Sequence, residues 1–241
     1  MSLLQIEELD VRYGALIAVR SVSLAIDEGT TVALVGANGA GKTTLLRAIA
    51  GAHRPSSGTV RFDGADVTNV AAHRRVQLGI ALVPEGRHLF PGLTVEENLR
   101  AAAGKGRAGS WNLDTVMDAF PILRPIARRR ASALSGGEQQ ATAIGRALMS
   151  NPRLLILDEV SLGLAPQAVD AVYQSLTALM ASGAATVVLV EQDLRRAMSA
   201  SSRVICMLEG KLILDGPSTG LSRDDITDAY FGLRRQASAV S

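Results

Sequence analysis

The pattern of apolar and polar positions changes character twice along the chain. In the first third, residues 4–11 and 18–26 are short runs of strand-forming composition, and Asp27-Glu28-Gly29 marks a turn after the second. Thr31–Val35 is apolar without alternation, as expected of a strand covered on both faces. A Gly-rich loop follows, and a helical run extends over 42–50. Residues 58–62 read as a strand closed by Asp63-Gly64, and Ile80–Val83 as another stopped by Pro84. From about 85 to 150 the pattern turns helical. Thr94-Val-Glu-Glu97 has the form of a capping box, Gly104 to Gly109 reads as a mobile surface loop, and Pro121 and Pro125 break a second helical stretch. After Ser150 strands and helices alternate again. Leu154–Leu157, Thr186–Val190 and 204–208 are predicted strands, with helices over 166–180 and Leu194–Ala200. That rhythm predicts an α/β protein with a largely parallel sheet, interrupted by a helical insertion.

Composition narrows the function classes. The 241 residues are 47% hydrophobic and 20% charged, enough to build a full core. Lys plus Arg is 25 against 23 for Asp plus Glu, a net charge of +2, so no excess of cations marks a nucleic-acid binder. Aromatic residues at 3% leave little for base stacking. The single cysteine, Cys206, excludes an internal disulfide and reads as a buried thiol in an apolar strand. The start of the chain lacks the pattern of a signal peptide, and no run approaches the ~20 apolar residues that cross a bilayer. Arg128-Arg-Arg130 reads as a solvated face or a protein contact.

Three segments carry chemistry. Gly36-Ala37-Asn38-Gly39-Ala40-Gly41-Lys42-Thr43 fits G-x-x-x-x-G-K-[ST] at every position, after a predicted strand and before a predicted helix. Its glycines let backbone N–H groups close on phosphate oxygens, and the helix N-terminus adds partial positive charge. On this reading Lys42 reaches the β- and γ-phosphates and Thr43 ligates Mg2+, with Thr44 in the same nucleotide-binding set. Leu154-Leu-Ile-Leu-Asp158-Glu159 is an apolar strand ending in two acids. Asp158 is placed to hold the Mg2+ water shell, and Glu159 to orient and deprotonate an attacking water. The other reading of that pair is a charged strand end facing solvent. In Leu134-Ser135-Gly136-Gly137-Glu138, Ser135 and Glu138 form a capping box, and Ala143, Ile144, Ala147 and Leu148 give the helix a buried face. Two glycines in a first turn weaken a helix by up to ~1 kcal/mol each, which a cap alone does not require. Bare N–H groups there suit a phosphate.

In order and spacing these three segments resemble the ATP-binding subunit of an ABC transporter, over essentially the whole chain. LSGGE is specific to that family, whereas the phosphate loop is shared by many. The resemblance implies an α/β P-loop NTPase core with a mainly parallel sheet, an N-terminal antiparallel β subdomain and an inserted α-helical subdomain. It assigns 1–84 and 151–220 to the core, 85–150 to the helical part with the signature segment, and 221–241 to a tail. It also implies two such subunits paired head to tail, each ATP lying between one subunit's phosphate loop and Ser135 and Gly137 of the other.

Further roles carry over residue by residue. Tyr13 matches the aromatic that stacks on adenine, its other reading being a structural tyrosine at a strand end. Glu85 stands at the usual Gln of the loop that couples Mg2+ to the helical insertion, or else is a plain loop acid. Ser161-Leu-Gly-Leu-Ala165 matches the loop that touches the partner subunit. Gln192 occupies the position of the His that senses the γ-phosphate; as a neutral amide it donates a hydrogen bond but cannot titrate.

An acid at Glu85 and Val190-Glu-Gln192 in place of a His switch resemble the branched-chain amino-acid uptake branch, specifically the smaller of its two ATPase subunits. So do His73-Arg-Arg75, Gly79 to Gly86, Leu89 to Leu99, Ala143-Ile-Gly-Arg-Ala-Leu148 and Ala229-Tyr-Phe-Gly232. Two residues depart from the branch: Val160 replaces the proline after Glu159, and Asp193 replaces an Asn. The implied partners are two membrane-spanning permease subunits, a second ABC ATPase (a homodimer when isolated being the alternative) and, indirectly, a solute-binding protein. The implied place is the inner face of a bacterial membrane, without nucleic acid. The competing readings are a non-transport ABC ATPase and a nucleotide-binding regulatory module.

Overall fold

The computed structural model describes residues 2–231 and 233, apart from 182 and 184. Along the chain come β1 (Ser2–Tyr13), β2 (Leu16–Asp27), β3 (Thr31–Val35), α1 (Lys42–Ile49), β4 (Ser57–Phe62), β5 (Ala65–Asp66), α2 (Ala72–Leu78), β6 (Ile80–Val83) and α3 (Val95–Arg100). There follow α4 (Leu113–Ala119), α5 (Gly136–Leu148), β7 (Leu154–Leu157), α6 (Pro166–Ala181), β8 (Thr186–Val190), α7 (Leu194–Ala200), β9 (Arg203–Leu208), β10 (Lys211–Pro217) and α8 (Arg223–Phe231). They form two compact units: 1–71 with 188–241, and 72–187.

In the first unit an antiparallel sheet runs in the order β2-β1-β4-β5. Strands β1 and β2 extend slightly beyond the apolar runs at both ends, and each contains a bulge. Ile6 and Leu9 are both buried although three positions apart, as are Val19 and Val22. Strict alternation would turn one of each pair outward. The extra residues Glu8 and Ser21 take left-handed φ values of 46° and 44°, returning the next apolar side chain to the core. Their displaced N–H groups are not lost: Glu8 N–H donates to Ser23 Oγ at 3.0 Å, and Ser21 N–H to Asp10 Oδ1 at 3.0 Å.

The unit's other strands run β10-β9-β3-β8. β3 and β9 are parallel, with Val35 opposite Cys206, while β10 returns antiparallel to β9. Val32, Ala33, Leu34 and Val35 are all buried, as the unbroken apolar run requires.

In the second unit β6 and β7 pair in parallel, Val83 opposite Leu157. α5 packs against α3, α4 and α6. Gly145 makes this possible: a Cβ there would stand 2.9 Å from both Leu99 Cδ2 and Val116 Cγ1. Pro121 and Pro125 end regular helix as expected, but the segment they occupy continues as a 3-10 turn over Pro121–Ile126. The 104–109 loop carries no regular structure, and it is tied down: Arg107 N–H donates to Ser150 O at 3.1 Å, so it is anchored where a free loop was expected. The sequence pattern does not announce α2, β5, β10 and α8.

Candidate nucleotide-binding and hydrolysis site

In the first unit the phosphate loop follows the buried β3 and leads into α1. Two glycines sit where a side chain has no room. A Cβ on Gly36 would lie 2.3 Å from Met207 O, and one on Gly41 2.3 Å from Ala18 O. Gly41, at φ 104°, is the residue before α1 and supplies no side-chain cap, so the N–H groups of the first turn keep their outward aim. Lys42 is buried, and its ammonium lies inside the loop it follows, donating to Gly36 O at 2.6 Å and Ala37 O at 3.0 Å. Gly39 is also left-handed, at 82°, and Ala40 is buried. Thr43 and Thr44 are half-buried in the first turn.

Gln192 is exposed, and its Nε2 reaches Asn38 Oδ1 of the loop at 3.5 Å. The residue after it explains one departure from the family pattern. Asp193 caps α7, accepting from Arg195 N–H at 2.9 Å and Arg196 N–H at 3.3 Å, a task an Asp performs as well as an Asn. Tyr13 stands exposed at the end of β1. Its ring meets the His53 imidazole at 4.5 Å between centroids, and His53 Nε2 lies 3.2 Å from Arg12 O. His53 thus packs against the aromatic, a neighbour that sequence distance conceals.

In the second unit Asp158 is buried at the end of β7, its N–H donating to Val83 O at 2.9 Å. Glu159 is half-buried and takes a left-handed φ of 54°. Val160 beside it is buried. Ser135 caps α5 as its spacing predicts. Glu138 N–H reaches Ser135 Oγ at 3.4 Å, and Ser135 N–H donates to Glu138 Oε2 at 2.7 Å. Burial pushes the Glu138 carboxyl up, but Ser135 and Arg129 outweigh that and leave it below its ordinary value. Arg129 Nη1 sits 2.8 Å from Glu138, so one member of the basic run 128–130 serves the cap.

The glycines of the signature segment have a packing reason the sequence does not show. A Cβ on Gly137 would stand 2.8 Å from the Ala168 Cβ, and one on Gly136 2.9 Å from Leu164 Cδ2. Their smallness lets α5 begin against the start of α6, in addition to leaving its first N–H groups bare.

Glu85 is exposed just past β6. The three residues after it, Gly86, Arg87 and His88, all have left-handed φ, at 78°, 64° and 47°. Arg146 of α5 holds this turn from behind, donating to Arg87 O at 3.1 Å and His88 O at 2.9 Å. Its guanidinium also lies 5.6 Å from the Phe90 ring centroid. Asn98, fully buried, accepts from Phe90 N–H at 2.9 Å and donates to Phe90 O at 3.1 Å. Arg87, Arg146 and Asn98 were not among the sequence candidates. Arg87 follows a strand in a polar run and Arg146 and Asn98 lie within helices, and only the fold shows what the three bind.

The family model described as ABC transporter matches residues 19–161. The chain belongs to the ABC transporter family. It is 38% identical over 233 residues to the high-affinity branched-chain amino acid transport ATP-binding protein BraG of Pseudomonas aeruginosa, covering 95% of this chain and 100% of that one. It is 35% identical over 222 residues to the probable branched-chain amino acid transport ATP-binding protein LivF of Archaeoglobus fulgidus, covering 91% and 94%. The crystal structure of the ADP conformation of MJ1267, an ATP-binding cassette of an ABC transporter, superposes with a TM-score of 0.77 at 26% identity, covering 96% of this chain and 95% of that one. A dimeric post-hydrolysis state of the cassette MJ0796, bound to ADP and Pi, also gives 0.77 at 26% identity, covering 90% and 100%. The cassette architecture implied by the three motifs is therefore the fold of this chain: an antiparallel sheet, parallel strand pairs and covering helices.

Proposed function

We propose that this ABC ATPase powers uptake of branched-chain amino acids or a related small solute, through MgATP hydrolysis between two cassettes. The observation that carries the reading is the phosphate loop at the end of β3. Its glycines are fixed by backbone contacts and Lys42 is held within it, as a loop built to wrap phosphate requires. The branched-chain assignment is supported by the identity to BraG, 38%, against 30% for BraF of the same organism.

The site residues take these roles. Gly36 to Thr44 hold the phosphates, Tyr13 stacks on adenine, and Ser135 and Gly137 close the γ-phosphate site of the partner cassette. Thr43, Asp158 and Glu85 offer the hard oxygen donors that Mg2+ prefers, and the ion would neutralise charge on the phosphates. Glu159 orients and activates water for in-line attack, a task of positioning and electrostatics. Gln192 donates to the γ-phosphate.

Among the described residues no helix is long and apolar enough to cross a membrane, so contact with a bilayer is assigned to permease subunits. The test is steady-state hydrolysis by the purified chain, alone and with its second ATPase subunit, over a range of concentrations. Turnover rising more than linearly with concentration is expected, with Lys42→Ala inactive. Glu159→Gln is expected to lose ~10²–10⁴-fold in turnover while retaining ATP binding. Hydrolysis unchanged in Glu159→Gln would remove that residue from the base role.

A further inference from the structure

Arg87 joins three segments of the second unit that lie far apart in sequence. Its Nε donates to Gln140 Oε1 at 3.2 Å and its Nη1 to Gln139 Oε1 at 3.0 Å, both on the signature helix α5. Its Nη2 reaches Leu162 O at 3.5 Å, in the loop after β7. That loop is a turn whose other end is the carbonyl of Glu159, which accepts from Leu162 N–H at 3.4 Å. The backbone of Arg87 is fixed in turn. It is the middle residue of the left-handed run after Glu85, and its carbonyl is held by Arg146.

Each acceptor is also constrained. Gln140 is buried, and the Gln139 amide donates to Leu134 O at 3.2 Å, which directs its oxygen to the guanidinium. A planar fork with several N–H groups meets three such acceptors at once, whereas an ammonium on a flexible stem does not. We infer that Arg87 is a positioning residue for hydrolysis: it ties the Glu85 loop, the first turns of the signature helix and the turn carrying Glu159 into one mechanical piece.

The inference rests on the proposed role of Glu159, and Arg87 itself touches no reacting atom. Displacement of the Glu85 loop is then passed to Glu159 and to α5 through one side chain. Loss of the fork leaves the nucleotide's binding groups in place but frees the turn that aims the base.

The test compares Arg87→Ala and Arg87→Lys with the unaltered full chain and with Glu159→Gln, assembled with the second ATPase subunit. Both Arg87 variants are expected to lose roughly tenfold or more in kcat with little change in KM for ATP, because the interaction serves the chemical step and not binding. Hydrogen exchange is expected to speed up in three peptides together: 84–93, 136–142 and 159–166. The double variant Arg87→Ala with Gln140→Ala is expected to be no slower than Arg87→Ala alone.

Full recovery in Arg87→Lys would show that charge suffices and overturn the fork. Faster exchange confined to 84–93, or losses in the double variant that simply add, would overturn the coupling. Unchanged kcat in Arg87→Ala beside an inactive Glu159→Gln would overturn the inference and leave the base assignment standing. If Glu159→Gln hydrolyses normally, the site reading fails first and independently. Should Arg87→Ala fail to fold, Gln139→Ala and Gln140→Ala remove acceptors instead, and the same exchange and kcat readings decide.

Discussion

Val160 stands where the family resemblance leads one to expect proline, and its neighbour shows a backbone that a proline opposes. Glu159 is left-handed at φ 54°, whereas a proline ring pushes the residue before it toward extended conformations. Valine is buried there and leaves Glu159 free to take its turn. Val160→Pro is therefore expected to lower stability by ~1 kcal/mol or more, read as a fall in the urea midpoint at constant m-value. Had the chain been built around an extended Glu159, the same change would stabilise it. Gly137 teaches a related lesson at single-residue scale. Its helix-weakening effect, taken alone, pointed only to phosphate. The Ala168 contact shows that packing asks for the same residue, so the glycine answers two demands.

Among elements, α5 packs against α3, α4 and α6 and is tied by polar contacts at both ends. Its N-terminus is capped by Ser135, its first turn carries Glu138, and its last turn carries Arg146. Ser135→Ala removes the acceptor for Glu138 N–H and is expected to cost ~1 kcal/mol, measured by denaturant unfolding. The cap also carries a pH signature. Glu138 in the folded protein lies below its usual 4.5, as does Glu97 in the matching cap of α3, where the Thr94 N–H and hydroxyl hold it down. A depressed carboxyl contributes stability that is present above its unfolded value and lost as pH falls through the folded one. Stability is thus expected to decline from about pH 4.5 downward, and Glu138→Gln, which removes the titrating carboxyl, to flatten that decline. A decline of unchanged steepness in the variant would remove the Glu138 cap from the acid response. These two capping boxes were legible beforehand because a cap is local: its partners lie three residues apart.

For the molecule as a whole, Cys206 reports on global opening. It lies in β9 beside β3, fully buried, and burial pushes its thiol up to about 11. The thiolate is the reacting form, so disulfide reagents at neutral pH are expected to reach it only through unfolding. The rate should climb with denaturant and fall when MgATP binds the native state, followed by thiol titration. Rapid native-state labelling would contradict the burial of β9. Each motif of the cassette stands at the end of a buried strand or the start of a helix, the architecture on which the proposed association and permease coupling would draw.

What the sequence determined by itself are the features whose cause is local. The unbroken apolar runs of β3, β7 and β8, the phosphate loop between a strand and a helix, and the caps at Thr94 and Ser135 depend on residues within a few positions of one another. The periodicity of side chains is itself local, so most strands and helices followed from it to within a few residues, α2, β5, β10 and α8 being the exceptions. Tertiary structure alone decided the rest. The bulges at Glu8 and Ser21 shift the register of two strands and return Leu9 and Val22 to the core. His53 found Tyr13, and Arg87 found Gln139, Gln140 and Leu162, across separations of 52, 53 and 75 residues. No spacing rule encodes such pairs. An arginine in a polar run carries the same local signal whether it faces water or three acceptors, and only folding of the chain brings those acceptors within reach of its fork.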